Sequence, residues 1–216
     1  MRREKALANL IGADLYAITA EELSLGRGNV AVVEELLSAG IKVIQYREKE
    51  KHGRVMYQEC LAIRELTRRA GATFIVDDHV DLALLVDADG VHVGQDDLPV
   101  AAVRSLVGPE RIVGLSTHDP DQARQAQKSG LVDYIGVGPI FATKTKKDVC
   151  APVGLKYLEF VAKNISLPFV AIGGIKEHNI AQVRDHGAKT MALISEIVGA
   201  PDIPASIKAL RAALAR

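Results

Sequence analysis

Eight short apolar runs, each followed by a stretch of helical period, recur along this chain of 216 residues, and that count constrains its fold more than any other feature. The runs are Asp14 to Ile18, Ile41 to Tyr46, Thr73 to Val76, Gly90 to Val93, Ile112 to Leu115, Tyr134 to Val137, Phe169 to Ile172 and Thr190 to Ile194. The helical stretches are Asn29 to Ser38, Val55 to Ala70, Val80 to Val86, Val100 to Leu106, Asp119 to Lys128, Leu155 to Asn164, Ile180 to His186 and Ile203 to Leu214. Short strands that are apolar throughout, alternating with helices, belong to a parallel sheet covered on both faces. An open doubly wound sheet uses the same alternation but normally stops at about five or six strands. Eight units predict a TIM (β/α)8 barrel, a single α/β domain over residues 1–216. Gly40, Gly71, Gly130 and Gly187 stand where helices must stop.

The charge balance narrows the partners. Lys and Arg total 27, as do Asp and Glu, so the formal charge is zero and no general attraction to nucleic acid or an anionic membrane is expected. Small molecules are the expected partners, with homo-oligomerisation left open. The two cysteines, Cys60 and Cys150, lack metal or redox spacing, which suits a reduced compartment. The opening MRREKALANLIGADLYAI has a basic start but no long apolar core with a cleavage site, and no later run approaches a membrane span. A cytoplasmic location is expected.

In a TIM barrel the chemistry sits at the C-terminal ends of the strands. Read in order, those ends carry Gln45, Tyr46, Arg47, Glu48 and Lys49; then Asp77 and Asp78; then Gly94, Gln95, Asp96 and Asp97; then Ser116, Thr117 and His118. The long loop GPIFATKTKKDVCAP follows, then Gly173 and Gly174, then Ser195. The opposite ends show no comparable polar concentration.

Two carboxylate clusters on neighbouring strand ends suggest magnesium, which takes hard oxygen ligands and completes its octahedron with water and substrate phosphates. Asp78 and Asp97 are the expected ligands, with Asp96 facing solvent; each ligand could instead cap the helix that follows it. Arg47 and Lys49 alternate in an extended segment, so both can face the mouth and present a fork and an ammonium to phosphate oxygens. Thr143, Lys144, Thr145, Lys146 and Lys147 combine hydroxyls, backbone N–H groups and ammonium groups, the ingredients of a phosphate clamp. Glycine at 173 and 174 permits close backbone approach to a ligand, and equally suits a tight turn. Ser195 can donate to the same phosphate or cap the final turn. The histidines fall outside metal-ligand spacings, with His92 expected to point into the mouth, and neither a GxSxG elbow nor a Walker loop is present.

Taken together, QYREK, VDDHVDLAL, ADGVHVGQDDLP, VGLSTH, DYIGVGPIFATKTKKD, VAIGGI and MALIS resemble, in order and spacing, the motifs of the thiamine phosphate synthase family over nearly the whole chain. The resemblance implies a magnesium-dependent transferase that joins hydroxymethylpyrimidine diphosphate to a thiazole phosphate and releases diphosphate. By matching motif, the pyrimidine diphosphate would meet Gln45, Tyr46, Arg47, Glu48, Lys49, Asp77, Ser116 and Lys146, of which Arg47, Lys49, Ser116 and Lys146 would act on the leaving group. Asp78 and Asp97 would hold Mg²⁺. Thr143, Lys144, Thr145, Gly174, Ile194 and Ser195 would receive the thiazole phosphate. One position departs from the pattern: Asp77 stands where the family usually has asparagine, and a carboxylate beside diphosphate should touch the metal or turn toward Lys49. The alternatives are the related thiazole tautomerase and a non-catalytic barrel that binds thiamine precursors.

Overall fold

The computed structural model describes residues 2–143, 145 and 150–216. In chain order the elements are α1 (Arg2–Gly12), β1 (Leu15–Ile18), a short 3₁₀ turn (Glu21–Leu23), α2 (Asn29–Ser38), β2 (Val43–Tyr46), α3 (Gly53–Ala70), β3 (Thr73–Asp77) and α4 (Val80–Leu85). They continue with β4 (Gly90–Val93), α5 (Val100–Val107), β5 (Ile112–Thr117), α6 (Pro120–Ser129), β6 (Tyr134–Val137), α7 (Gly154–Asn164), β7 (Phe169–Ile172), α8 (Ile180–Asp185), β8 (Thr190–Leu193), α9 (Ser195–Val198) and α10 (Ile203–Leu214). The strands pair in parallel, each with the next, and β1 pairs with β8 through Leu15 and Met191, so the sheet closes on itself. The expected (β/α)8 barrel is therefore the observed fold.

Two apolar cores follow from the period-two geometry of strands. Outward residues such as Leu15, Ala17, Ile44, Phe74, Val91, Val113, Ile135 and Leu193 pack under the helices. Inward residues, among them Tyr16, Ile18, Val43, Ile75, Ile112, Tyr134, Val170 and Ala192, fill the lumen. Local signals end the helices: Asp119 accepts N–H bonds from Asp121 and Gln122 at the start of α6, and Gly71 and Gly130 close α3 and α6 in the left-handed conformation.

Two features differ from the sequence-based expectation. The opening segment forms α1, whose Ala6 and Leu10 join the lumen core and floor the barrel. The bottom face is also richly charged. Asp14, Asp89 and Asp133, each just ahead of a strand, hold Arg211, Arg64 and the pair Arg3 and Arg104 respectively. The Arg64–Asp89 pair is buried and bidentate at 2.7 and 3.0 Å, and Asp89 also accepts the Phe74 N–H. These partners lie from 25 to 197 residues apart in the chain, so no local window shows their concentration. Among the described residues no helix is long and apolar enough to cross a membrane.

Candidate active site

The end of β2 sends alternate side chains to opposite sides. Tyr46 turns outward, where its hydroxyl donates to Glu59 on α3 at 2.6 Å. Glu48 is buried too, accepting from the Glu21 N–H at 3.1 Å and from Asn29 Nδ2 at 2.7 Å. Neither side chain joins the mouth; both brace the segment from behind. Gln45 and Arg47 turn inward. Thr19 anchors this stretch, accepting the Arg47 N–H at 2.9 Å.

Arg47 is 6% exposed, and its Nε makes no hydrogen bond among the described residues. Among the described residues it pairs with the carboxylates of Asp77, 3.7 Å from Nε, and Glu22, at 3.8 Å, both beyond good hydrogen-bonding distance. Lys49 Nζ lies 3.8 Å from Asp77 and is hydrogen-bonded to Asp78. Partial burial pulls the Lys49 pKa down, but the Asp78 hydrogen bond and the charges of Asp77 and Asp78 outweigh it, and the net shift is upward. The ammonium is therefore held charged. The mouth thus places two cations and two carboxylates together, with Asp77 turned toward both cations.

Neither aspartate expected to bind metal caps a helix through its side chain; α4 and α5 start without side-chain caps. Asp78 adopts φ 57°, a left-handed conformation uncommon for a residue other than glycine, and its N–H donates to the His92 carbonyl. Asp97 is exposed and accepts the Gly94 N–H at 2.7 Å. Among the described residues no group of three or more His, Cys, Asp or Glu side chains forms a metal cage. The donor set nonetheless fits magnesium, which needs one or two carboxylates from protein, and Asp78 already holds a cation in the Lys49 ammonium.

Below the mouth lies a small cavity of about 30 Å³, lined by Arg47, Asp77, His92, Ser116, Tyr16 and Tyr134 among others. Gln45 Nε2 donates to the Tyr16 hydroxyl at 2.8 Å, which lies 3.1 Å from the Tyr134 hydroxyl. His92 bridges onward, Nδ1 to Tyr134 at 2.9 Å and Nε2 to Ser116 Oγ at 2.9 Å. Burial pushes the pKa of both phenols upward, so neither is a base near neutral pH. Sequence motifs assign substrate roles to Gln45 and Ser116 and none to Tyr16 or Tyr134. Their signal is parity, since both occupy inward positions of strands β1 and β6.

Across the mouth, the loop after β6 runs against the end of β7. The Ile140 and Phe141 N–H groups donate to the carbonyls of Ile172 and Gly173. Gly174 has φ 64°, and a Cβ there would sit 2.7 Å from the Ala142 carbonyl oxygen, so both conformation and space require glycine. Thr143 and Thr145 face each other, their hydroxyls 3.1 Å apart. Lys144, Lys146 and Lys147, expected in the phosphate clamp, lie outside the described residues. Ile194 is buried at the end of β8, and Ser195 is exposed as the first residue of α9.

A parallel barrel with cations, carboxylates and hydroxyls gathered at the C-terminal mouth is the frame of a TIM-barrel enzyme for small anionic substrates. The chain belongs to the thiamine monophosphate synthase family, whose model matches residues 15–197. It is 70% identical over 216 residues to a thiamine-phosphate synthase of Pelotomaculum thermopropionicum, covering 100% of this chain and 99% of that one. It is 58% identical over 204 residues to one of Lawsonia intracellularis, covering 94% of each. A solved thiamine phosphate pyrophosphorylase from Pyrococcus furiosus superposes with TM-score 0.86 at 36% identity, covering 97% of this chain and 98% of that one.

Proposed function

We propose that this barrel transfers the pyrimidinylmethyl group of hydroxymethylpyrimidine diphosphate to the ring nitrogen of a thiazole phosphate, in the plain or carboxylated form, making thiamine phosphate and diphosphate in thiamine biosynthesis. The observation that carries this reading is Arg47: a buried guanidinium at the mouth of the barrel whose Nε has no hydrogen-bond acceptor among the described residues. A buried unsatisfied donor is costly, and an anionic oxygen is the acceptor that would satisfy it best.

In the proposed reaction the methylene–oxygen bond breaks with its electron pair leaving on diphosphate, and the thiazole nitrogen lone pair forms the new carbon–nitrogen bond. Little proton transfer is required, in keeping with phenols that stay protonated. The chain's task is electrostatic and positional. Arg47, Lys49 and Ser116, with Lys146 by family motif, receive charge on the departing diphosphate, and Gln45 holds the other end of the substrate. Asp78 and Asp97 would hold Mg²⁺, which when bound neutralises diphosphate charge. Thr143, Thr145, Gly174, Ile194 and Ser195, with Lys144, would cradle the thiazole phosphate across the mouth. Tyr46 and Glu48 serve this site from behind, by fixing the strand that carries Gln45 and Arg47. Small-molecule partners and a location in the cytoplasm accord with this role.

The test is to mix purified protein with both substrates, with magnesium or with chelator, and follow thiamine phosphate and diphosphate together. Equimolar products that require magnesium are expected. Turnover of a carboxylated thiazole phosphate to its isomer, without diphosphate release, would replace this reading with the tautomerase.

A further inference from the structure

The lumen contains a continuous chain of hydrogen bonds, Gln45 to Tyr16 to Tyr134 to His92 to Ser116, drawn from five strands. Its direction follows from counting protons. Gln45 Nε2 can only donate, so the Tyr16 oxygen accepts and its single proton goes to Tyr134. Tyr134, having accepted, spends its own proton on His92 Nδ1. That nitrogen must then be bare, the ring proton sits on Nε2, and Nε2 donates to Ser116 Oγ. If His92 donated from Nδ1 instead, Tyr134 would accept twice, and its buried proton would have no acceptor among its contacts with described residues. Only Ser116 ends the chain with a proton to spare, and it lines the cavity.

The backbone is shaped around this chain. A Cβ at Gly114 would lie 2.3 Å from Tyr134 Cζ and 2.4 Å from His92 Nδ1, and one at Gly136 would lie 3.4 Å from His92 Cε1. Glycine at 114, on the neighbouring strand, is what leaves room for the Tyr134 and His92 rings to meet.

We propose that Tyr16, Tyr134 and His92 form a one-way relay that locks His92 as the neutral Nε2–H tautomer and makes the Ser116 hydroxyl a dedicated donor to an anionic oxygen of the substrate. Tyr134 and His92 are positioning residues: they act through Ser116. The substrate half of this statement rests on the transferase reading; the tautomer half does not.

The deciding measurement is the ring-nitrogen NMR spectrum of His92 in the full chain at neutral pH without substrate, assigned by its loss in His92→Phe. The neutral Nε2–H pattern is expected. An Nδ1–H pattern overturns the proposal, because it means that the Gln45 amide is reversed, every bond in the chain runs the other way, and Ser116 donates to histidine; an imidazolium pattern overturns it as well. Kinetics supply the second arm. Tyr134→Phe should lower kcat about tenfold, the worth of one hydrogen bond, with KM nearly unmoved, and should add nothing on a Ser116→Ala background. Ser116→Thr, which keeps the hydroxyl, should restore most of the rate that Ser116→Ala loses. Additive losses in the double variant would overturn the claim that Tyr134 works through Ser116. Failure of the parent to turn over would remove the transferase reading alone, leaving the nitrogen spectrum to decide the relay.

Discussion

Asp77 carries the sharpest single-residue question, because a carboxylate at 6% exposure faces the place where a diphosphate is proposed to bind. Its charge is balanced by Arg47 and Lys49, at 3.7 and 3.8 Å. An incoming anion must therefore compete with Asp77 for the same two cations. Asp77→Asn keeps the shape and removes the competitor, and one unit charge at this range is worth about 1 kcal/mol in a water-like medium. Calorimetric titration with inorganic diphosphate and magnesium should show affinity raised about fivefold. Unchanged or weaker binding would mean that Asp77 helps to hold the anion, through the cations it orients. The family resemblance marks the departure from asparagine and leaves Asp77 two places, on the metal or toward Lys49; the structure has the carboxylate 3.8 Å from the Lys49 ammonium.

At the scale of elements, the site depends on how the end of β2 is buttressed. Glu59 on α3 gathers the Tyr46 hydroxyl, the Lys51 ammonium and Asn29 Nδ2. Burial alone would raise the Glu59 pKa, but those three hydrogen bonds outweigh it and hold the carboxyl below its ordinary value of 4.5. A depressed carboxyl pKa contributes stability above the ordinary value and loses it as pH falls through the folded value. Urea midpoints of the parent should therefore fall below about pH 4.5 more steeply than those of Glu59→Gln. The variant should be about 1 kcal/mol less stable at neutral pH and nearly equal to the parent near pH ~3. Parallel curves would show that the buttress is not ionic. This arrangement was only half legible: QYREK announced a functional strand end, but which side chains face the mouth depends on the register of β2 in the closed sheet.

The whole molecule is a barrel closed at one end and chemically open at the other. Leu10 of α1 is buried in the lumen core, whereas the adjacent Ile11 is 55% exposed. Leu10→Ala should cost about 2–5 kcal/mol by the lost transfer energy and the cavity left behind, while Ile11→Ala should be nearly neutral. Denaturant midpoints check both, and kcat of folded Leu10→Ala should match the parent, because the mouth lies at the other end of the strands. A large loss of kcat in folded protein would mean that the floor also sets the geometry of the lumen hydroxyls.

The number of strands, their parallel order and the identity of the polar strand ends were determined by the sequence alone. They rest on local period, on turn residues and on short motifs, each visible within about ten residues. Only the tertiary structure decided that α1 floors the barrel, that the bottom face is stitched by aspartate–arginine pairs, and that Tyr16, Tyr134 and His92 join Gln45 to Ser116. Tyr16 and Tyr134 stand 118 residues apart and Asp14 and Arg211 stand 197 apart, and such groups meet only when the sheet closes. Closure brings together side chains whose separation along the chain leaves no local trace.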